Sequence, residues 1–93
     1  MDRYDVIIRP VVTEKSDAMS ELFNQYVFEV DTRANKTQVK AAVEEIFEVG
    51  VTEVRTMVVP GKSKRWGRRV RRLPSWKKAI VTLAEGDAID LVG

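Results

Sequence analysis

The chain has 93 residues, 44% of them apolar and 32% charged, and a formal net charge of +2. It contains no cysteine and no histidine, which excludes a disulfide framework, a thiolate metal site and the common nucleophile–base pairs of hydrolytic and transfer enzymes. A chain this short buries only about 60 to 65% of the surface its unfolded form exposes, so one thin core is expected. No apolar stretch approaches the roughly 18 residues of a membrane span, and the opening MDRYDVIIRP lacks a cleavable apolar segment. The expectation is a single cytosolic domain over residues 1–93, neither exported nor membrane-spanning.

Tyr4 to Arg9 is a short apolar run closed by Pro10, which predicts a brief strand followed by a turn. Thr13 is placed to cap a helix to about Phe23: its hydroxyl can accept from a free first-turn amide, and Glu14 favours the positive helix end. Ala18, Met19, Leu22 and Phe23 are the expected buried stripe, with Asn24 as a left-handed stop. QYVFEVD then alternates with a period of two, Tyr26, Phe28 and Val30 on the drier face and Val27, Glu29 and Asp31 on the other.

The clearest helix runs from Asn35 to about Glu48. Asn35 and Gln38 form a capping-box pair, and Val39, Ala42, Val43, Ile46 and Phe47 supply its apolar stripe. Gly50 is read as its end. Val51 to Val59 predicts a strand in which Val54 and Val58 alternate against Glu53 and Arg55. A last strand covers about Trp76 to Leu83, with Ala79, Val81 and Leu83 on one side. The order β-α-β-α-β-β implies a two-layer α+β, ferredoxin-like variant: an antiparallel sheet, both helices on one face, and a long basic loop between the last two strands.

That loop, residues 60–75, is sixteen residues where hairpin connections usually need about two to five. From Lys62 to Lys78 the chain places nine of its sixteen basic residues and no acidic one, leaving seven basic against fourteen acidic residues elsewhere. An acidic body thus carries a strongly basic arm, a segregation that points to a polyanion. Almost bare of aliphatics, the arm is not expected to pack on itself, and order should come chiefly from its partner. Both tryptophans lie in it, offering rings for unstacked bases. Arginine predominates at its centre, which suits bidentate phosphate contact, and no recognition helix for a major groove is visible, which favours RNA. The candidate contacts are Lys62, Lys64, Arg65, Trp66, Arg68, Arg69, Arg71, Arg72, Trp76, Lys77 and Lys78. Trp76 reads equally as a partly buried sheet residue. Gly61 and Gly67 do not complete a phosphate loop, because GKSKRWG lacks the required lysine and hydroxyl after the second glycine, and they are read as points of flexibility. Glu44, Glu45 and Glu48 have the spacing of a solvated helix face. No metal or cofactor site is expected. The same charge would also serve a peripheral adaptor on anionic membrane or an acidic protein, although the arginines are not interleaved with an apolar helical face.

Four stretches are more specific than composition: IIRPVVTEKS at 7–16, NQYVFEVD at 24–31, NKTQVKAAVEEIF at 35–47, and PGKSKRWGRRVRRLPSWKKAIVTLAEGD at 60–87. Together they resemble the bacterial form of the universal large-subunit ribosomal protein family numbered twenty-three. The resemblance implies binding to large-subunit ribosomal RNA at the rim of the peptide exit tunnel, with the basic loop reaching toward the tunnel wall. It also implies a neighbour, ribosomal protein twenty-nine, and a docking platform for trigger factor, signal recognition particle and the protein-conducting channel. Carried onto this sequence, the chaperone-docking acids are Glu14 and Glu48, whose plain alternatives are a helix-start charge and a solvated helix end.

Overall fold

A computed structural model describes residues 2–61 and 63–90. In chain order the elements are α1 (Arg3–Val6), β1 (Ile7–Pro10), α2 (Glu14–Phe23), β2 (Gln25–Val30), α3 (Lys36–Phe47), β3 (Val51–Val59), β4 (Ser63–Trp66), β5 (Arg69–Arg72) and β6 (Trp76–Leu83). Four strands form one open antiparallel sheet in the order β1-β2-β6-β3, and β4 and β5 pair with each other separately. The architecture is α+β of the ferredoxin-like kind, with the sheet and α3 as its two packed core layers.

The pleat decides what this core contains. Register pairs Tyr26 with Val81 and Phe28 with Ala79, and Val54 lies opposite Val81 on the far side of β6. Residues directly opposite share a face, so Tyr26, Phe28, Ala79 and Val81 meet α3 together. Its Val39, Ala42 and Val43 are fully buried against them, and the Phe28 and Phe47 rings lie 5.5 Å apart in a tilted pair. The predicted capping box is present: Asn35 Oδ1 accepts from the Gln38 amide at 2.9 Å and Gln38 Oε1 from the Asn35 amide at 3.0 Å.

The second helix departs from expectation. Val27 points away from the α3 layer yet is only 5% exposed, because Ser16 and Met19 of α2 cover it on the opposite face. The two helices therefore do not share one face. The predicted stripe is corrected with it: Leu22 and Phe23 are exposed and Ser16 is buried, giving a contact row of Ser16, Met19 and Ser20. A reciprocal cap sets that phase. Ser16's amide donates to Thr13 Oγ1 at 3.1 Å, and Thr13's amide donates to Ser16 Oγ at 2.7 Å, which commits Ser16 to the inner side of the first turn.

Three boundaries move for local reasons. Tyr4 and Val6 lie in α1 rather than a strand: the Asp5 amide donates to the Asp2 carbonyl, Val6 enters the core, and Arg3 pairs with Glu45 of α3. Pro10 belongs to β1 instead of turning the chain, which an edge strand tolerates because its missing N–H breaks no central ladder. Helix α3 ends through Glu48 in a left-handed conformation, φ 54°, rather than through Gly50. Gly50 serves a close approach: a Cβ there would lie 3.3 Å from both Ala84 Cβ and Asp87 Oδ2, and its N–H donates to that carboxylate at 2.8 Å. Asn24, left-handed as predicted at φ 53°, donates from Nδ2 to the Ala84 and Asp87 carbonyls at 3.2 and 3.0 Å. These contacts tie the ends of α2, α3 and β6 into one corner.

Candidate nucleic-acid interface

The sixteen-residue connection is a β-ribbon rather than an unstructured loop. Ser63 pairs with Arg72, Lys64 with Arg71, Arg65 with Val70 and Trp66 with Arg69. Gly67 carries φ +57° at the tip, and Arg68 is not among the residues of positive φ, the glycine-first pattern of a type II′ hairpin turn. Tight pairing satisfies the backbone amides that composition alone left without partners. At the base, Pro60–Gly61 and Leu73–Pro74 run so close that a Cβ on Gly61 would sit 1.7 Å from the Leu73 carbonyl oxygen. Both glycines thus have fixed geometric duties instead of conferring flexibility.

The ribbon concentrates charge that it cannot neutralise. Residues 63–72 hold six basic side chains and no carboxylate, and the register sets Lys64 directly opposite Arg71. Like charges directly opposite destabilise a strand pair, and an isolated two-stranded ribbon is marginal in water. A polyanion would relieve both. The ribbon also lengthens the molecule, which measures 52 × 31 × 23 Å with a radius of gyration of 14.9 Å, against about 12 Å for a compact domain of this size.

Residues 5–91 match the family described as Ribosomal protein L23. The chain belongs to that family. Its similarity runs through nearly its whole length. It is 57% identical over 91 residues to the large ribosomal subunit protein uL23 of Roseiflexus castenholzii, covering 98% of this chain and 96% of that protein. The uL23 of Anaeromyxobacter dehalogenans is 55% identical over 87 residues, 94% of this chain and 90% of that protein. That of Geobacter sulfurreducens is 49% identical over 90 residues, 97% and 96% respectively. Membership in the L23 family makes the chain a structural ribosomal protein of the large subunit and not an enzyme.

Against this family frame the predicted site residues divide. Lys62 lies outside the described residues, and for Lys64, Arg65, Trp66, Arg71 and Arg72 the backbone alone is described, as ribbon strand. Arg68 and Arg69 are exposed at the tip. Trp76, Lys77 and Lys78 belong to the sheet: all three are half-buried at the start of β6. Lys77 turns inward, its Nζ donating to the Ala34 carbonyl at 2.5 Å, so it braces the ribbon's foot against the approach to α3. Lys78 and Trp76 face the other side, in register with Met57 and Val59. Glu14 opens α2 and Glu48 caps α3; both are exposed, on helices over opposite faces of the sheet.

Two further pairs alter local charge. Arg33 donates to the Asp31 carboxylate at 3.1 and 3.2 Å. That hydrogen bonding, with the Arg33 backbone amide, holds the Asp31 carboxyl below its ordinary value. Glu45, donated to by Arg3, raises the guanidinium of that residue above its own. Sequence reading missed Gly61's role at the neck. Its signal was the glycine facing Leu73–Pro74 across the arm, which acquires meaning only once the two segments are paired.

Proposed function

We propose that this chain binds large-subunit ribosomal RNA through the β4–β5 ribbon, at the rim of the peptide exit tunnel, and presents its acidic body outward. The observation that carries the reading is six cations and no carboxylate in the ten residues of the paired ribbon, 63–72, while outside residues 62–78 acidic residues outnumber basic ones fourteen to seven. Lys62, Lys64, Arg65, Arg68, Arg69, Arg71 and Arg72 contact phosphate and Trp66 stacks on a base. Trp76 and Lys78 extend the contact onto the sheet face away from α3, while Lys77, bonded to the Ala34 carbonyl on the other side, steadies the ribbon's foot. Ribosomal protein twenty-nine is the neighbour, and Glu14 and Glu48 offer carboxylates to basic segments of trigger factor, signal recognition particle or the protein-conducting channel.

Replacing Arg68, Arg69, Arg71 and Arg72 with alanine tests the RNA assignment. With roughly 0.7 to 0.9 unit of slope per phosphate contact, log affinity against log salt should flatten by about 3 units in a protein of unchanged circular dichroism. Unchanged affinity and slope would move the RNA site off the ribbon. Release of the wild-type protein from large subunits under a mild wash, with recovery on anionic vesicles, would favour the membrane adaptor.

A further inference from the structure

A second feature of the RNA-facing end lies on the sheet face that bears Val27. Between α2 and the foot of the ribbon is a groove of about 440 Å³, within the roughly 300 to 1,000 Å³ of small-ligand clefts. Its floor is apolar, formed by Met19, Val27, Met57 and Ile80, and Trp76 closes the end at which the ribbon joins the sheet. Lys15 and Lys78 stand among its lining residues with Thr13 and Ser16, and no carboxylate does. Of the nearby acids, Glu29 accepts from Arg9 at 2.8 Å, and Glu14 and Asp17 are exposed on α2 without lining the groove.

We propose that this groove receives one unstacked nucleotide of the ribosomal RNA, its base against Trp76 and the Met19–Met57 floor and its phosphates on Lys15 and Lys78. The inference rests on the ribbon reading and adds to it a base-holding pocket on the body. Three observations favour RNA as the occupant. The groove is continuous with the ribbon through Trp76, its charge is complementary to phosphate, and it couples an aromatic edge to an apolar floor, the combination that holds splayed bases. Methionine side chains adapt their shape to a flat ring and make favourable sulfur–aromatic contacts. A helical peptide would need a predominantly apolar groove, whereas this one is ringed by lysine, serine and threonine.

The two kinds of contact separate by salt. Met57, 40% exposed on the edge strand β3, can be changed without entering the core. Met57→Ser should lower affinity for a large-subunit rRNA transcript by roughly tenfold with the salt slope unchanged, because a base contact displaces no counterions, and Met57→Leu should retain affinity. Lys15→Gln should instead reduce the slope by about 0.7 to 0.9. Ultraviolet crosslinking of the wild-type complex, read by mass spectrometry, should give nucleotide adducts on segment 56–61 or on α2 as well as on the ribbon. Adducts confined to residues 63–72, with Met57→Ser binding as wild type, would overturn the groove assignment and leave the ribbon reading intact. No binding of the transcript by the wild-type protein would remove both. Binding of poly-glutamate that is sensitive to Met57→Ser, with rRNA insensitive to it, would make an acidic protein segment the occupant and overturn the proposal.

Discussion

Gly61→Ala tests whether the ribbon's neck transmits geometry from the sheet to the RNA. A Cβ at this position would lie 1.7 Å from Leu73 O, 2.6 Å from Leu73 C and 3.0 Å from Pro74 C. Since real Cβ contacts essentially never fall under 3.0 Å, the strands must part by at least 1.3 Å. The obstacle is backbone, so rotating a side chain does not relieve it. Overpacking of this kind costs about 1 to 3 kcal/mol, and the question is where the cost falls. Pro60, Leu73, Pro74 and Ser75 are exposed, and the buried cluster is centred on Phe28, Val43 and Val81. The free protein therefore relaxes by splaying the neck, and its melting temperature should fall by no more than about 4 to 8 °C, the equivalent of 1 kcal/mol for this size. With RNA holding the ribbon as proposed, the cost reappears in the complex as a loss of affinity of about 5- to 150-fold, at 1.4 kcal/mol per factor of ten. Every cation remains, and the salt slope should not change. Thermal denaturation with filter binding across a salt series reads all three quantities. Wild-type affinity in the variant would refute the reasoning, and so would a collapse in melting temperature, which would place the neck within the cooperative core.

Asn24→Ala should lose about 2 to 4 kcal/mol, through two hydrogen bonds to the Ala84 and Asp87 carbonyls and a left-handed backbone that alanine resists; in urea melts Asn24→Gly should lose less, and equal losses would refute the conformational part. Glu14→Lys with Glu48→Lys should reduce recruitment of trigger factor to ribosomes without releasing this protein from the subunit, both read in one sedimentation experiment. Normal recruitment would remove the two acids from the docking surface, and release of the protein would make them assembly residues. Asp31's carboxyl is held low in the folded state by Arg33, so its contribution is present above the ordinary carboxylate range and fades as pH falls through that range toward the lowered value. Melting temperatures between pH 5 and 2.5 should therefore decline less steeply in Arg33→Gln, and less steeply again at high salt; identical slopes would refute the pairing.

Much of this was legible along the chain because it depends on neighbours in sequence. The Asn35–Gln38 cap, the Val39 to Phe47 stripe and the alternation of Tyr26, Phe28 and Val30 are repeats of three to four or of two residues. Local backbone geometry alone relates such positions in space. Charge segregation is likewise a property of composition, and it located the candidate site at residues 62–78 before any fold was considered. The stretches 7–16, 24–31, 35–47 and 60–87 together narrowed it to the L23 family.

What the chain order could not supply are relations between segments that approach only after folding. Ser16, Met19 and Ser20 are no more apolar than Ala18, Leu22 and Phe23. Only the position of α2 over Val27 made the first set the inner one. Gly61 has no special role until Leu73 is 1.7 Å from where its Cβ would stand, and Lys77 belongs to the arm by sequence but to the core side by its bond to Ala34. The ribbon is the sharpest instance. Periodic hydrophobicity marks a strand only when one face is buried, and the described side chains of β4 and β5, Ser63, Arg69 and Val70, are exposed, so the pairing is seen in the backbone register and the Gly67 turn. Residue types determined which polyanion this protein seeks, because charge and stacking capacity reside in side chains. Tertiary structure decided how the cations are arrayed and which groove lies beside them, because those depend on which backbone segments pair.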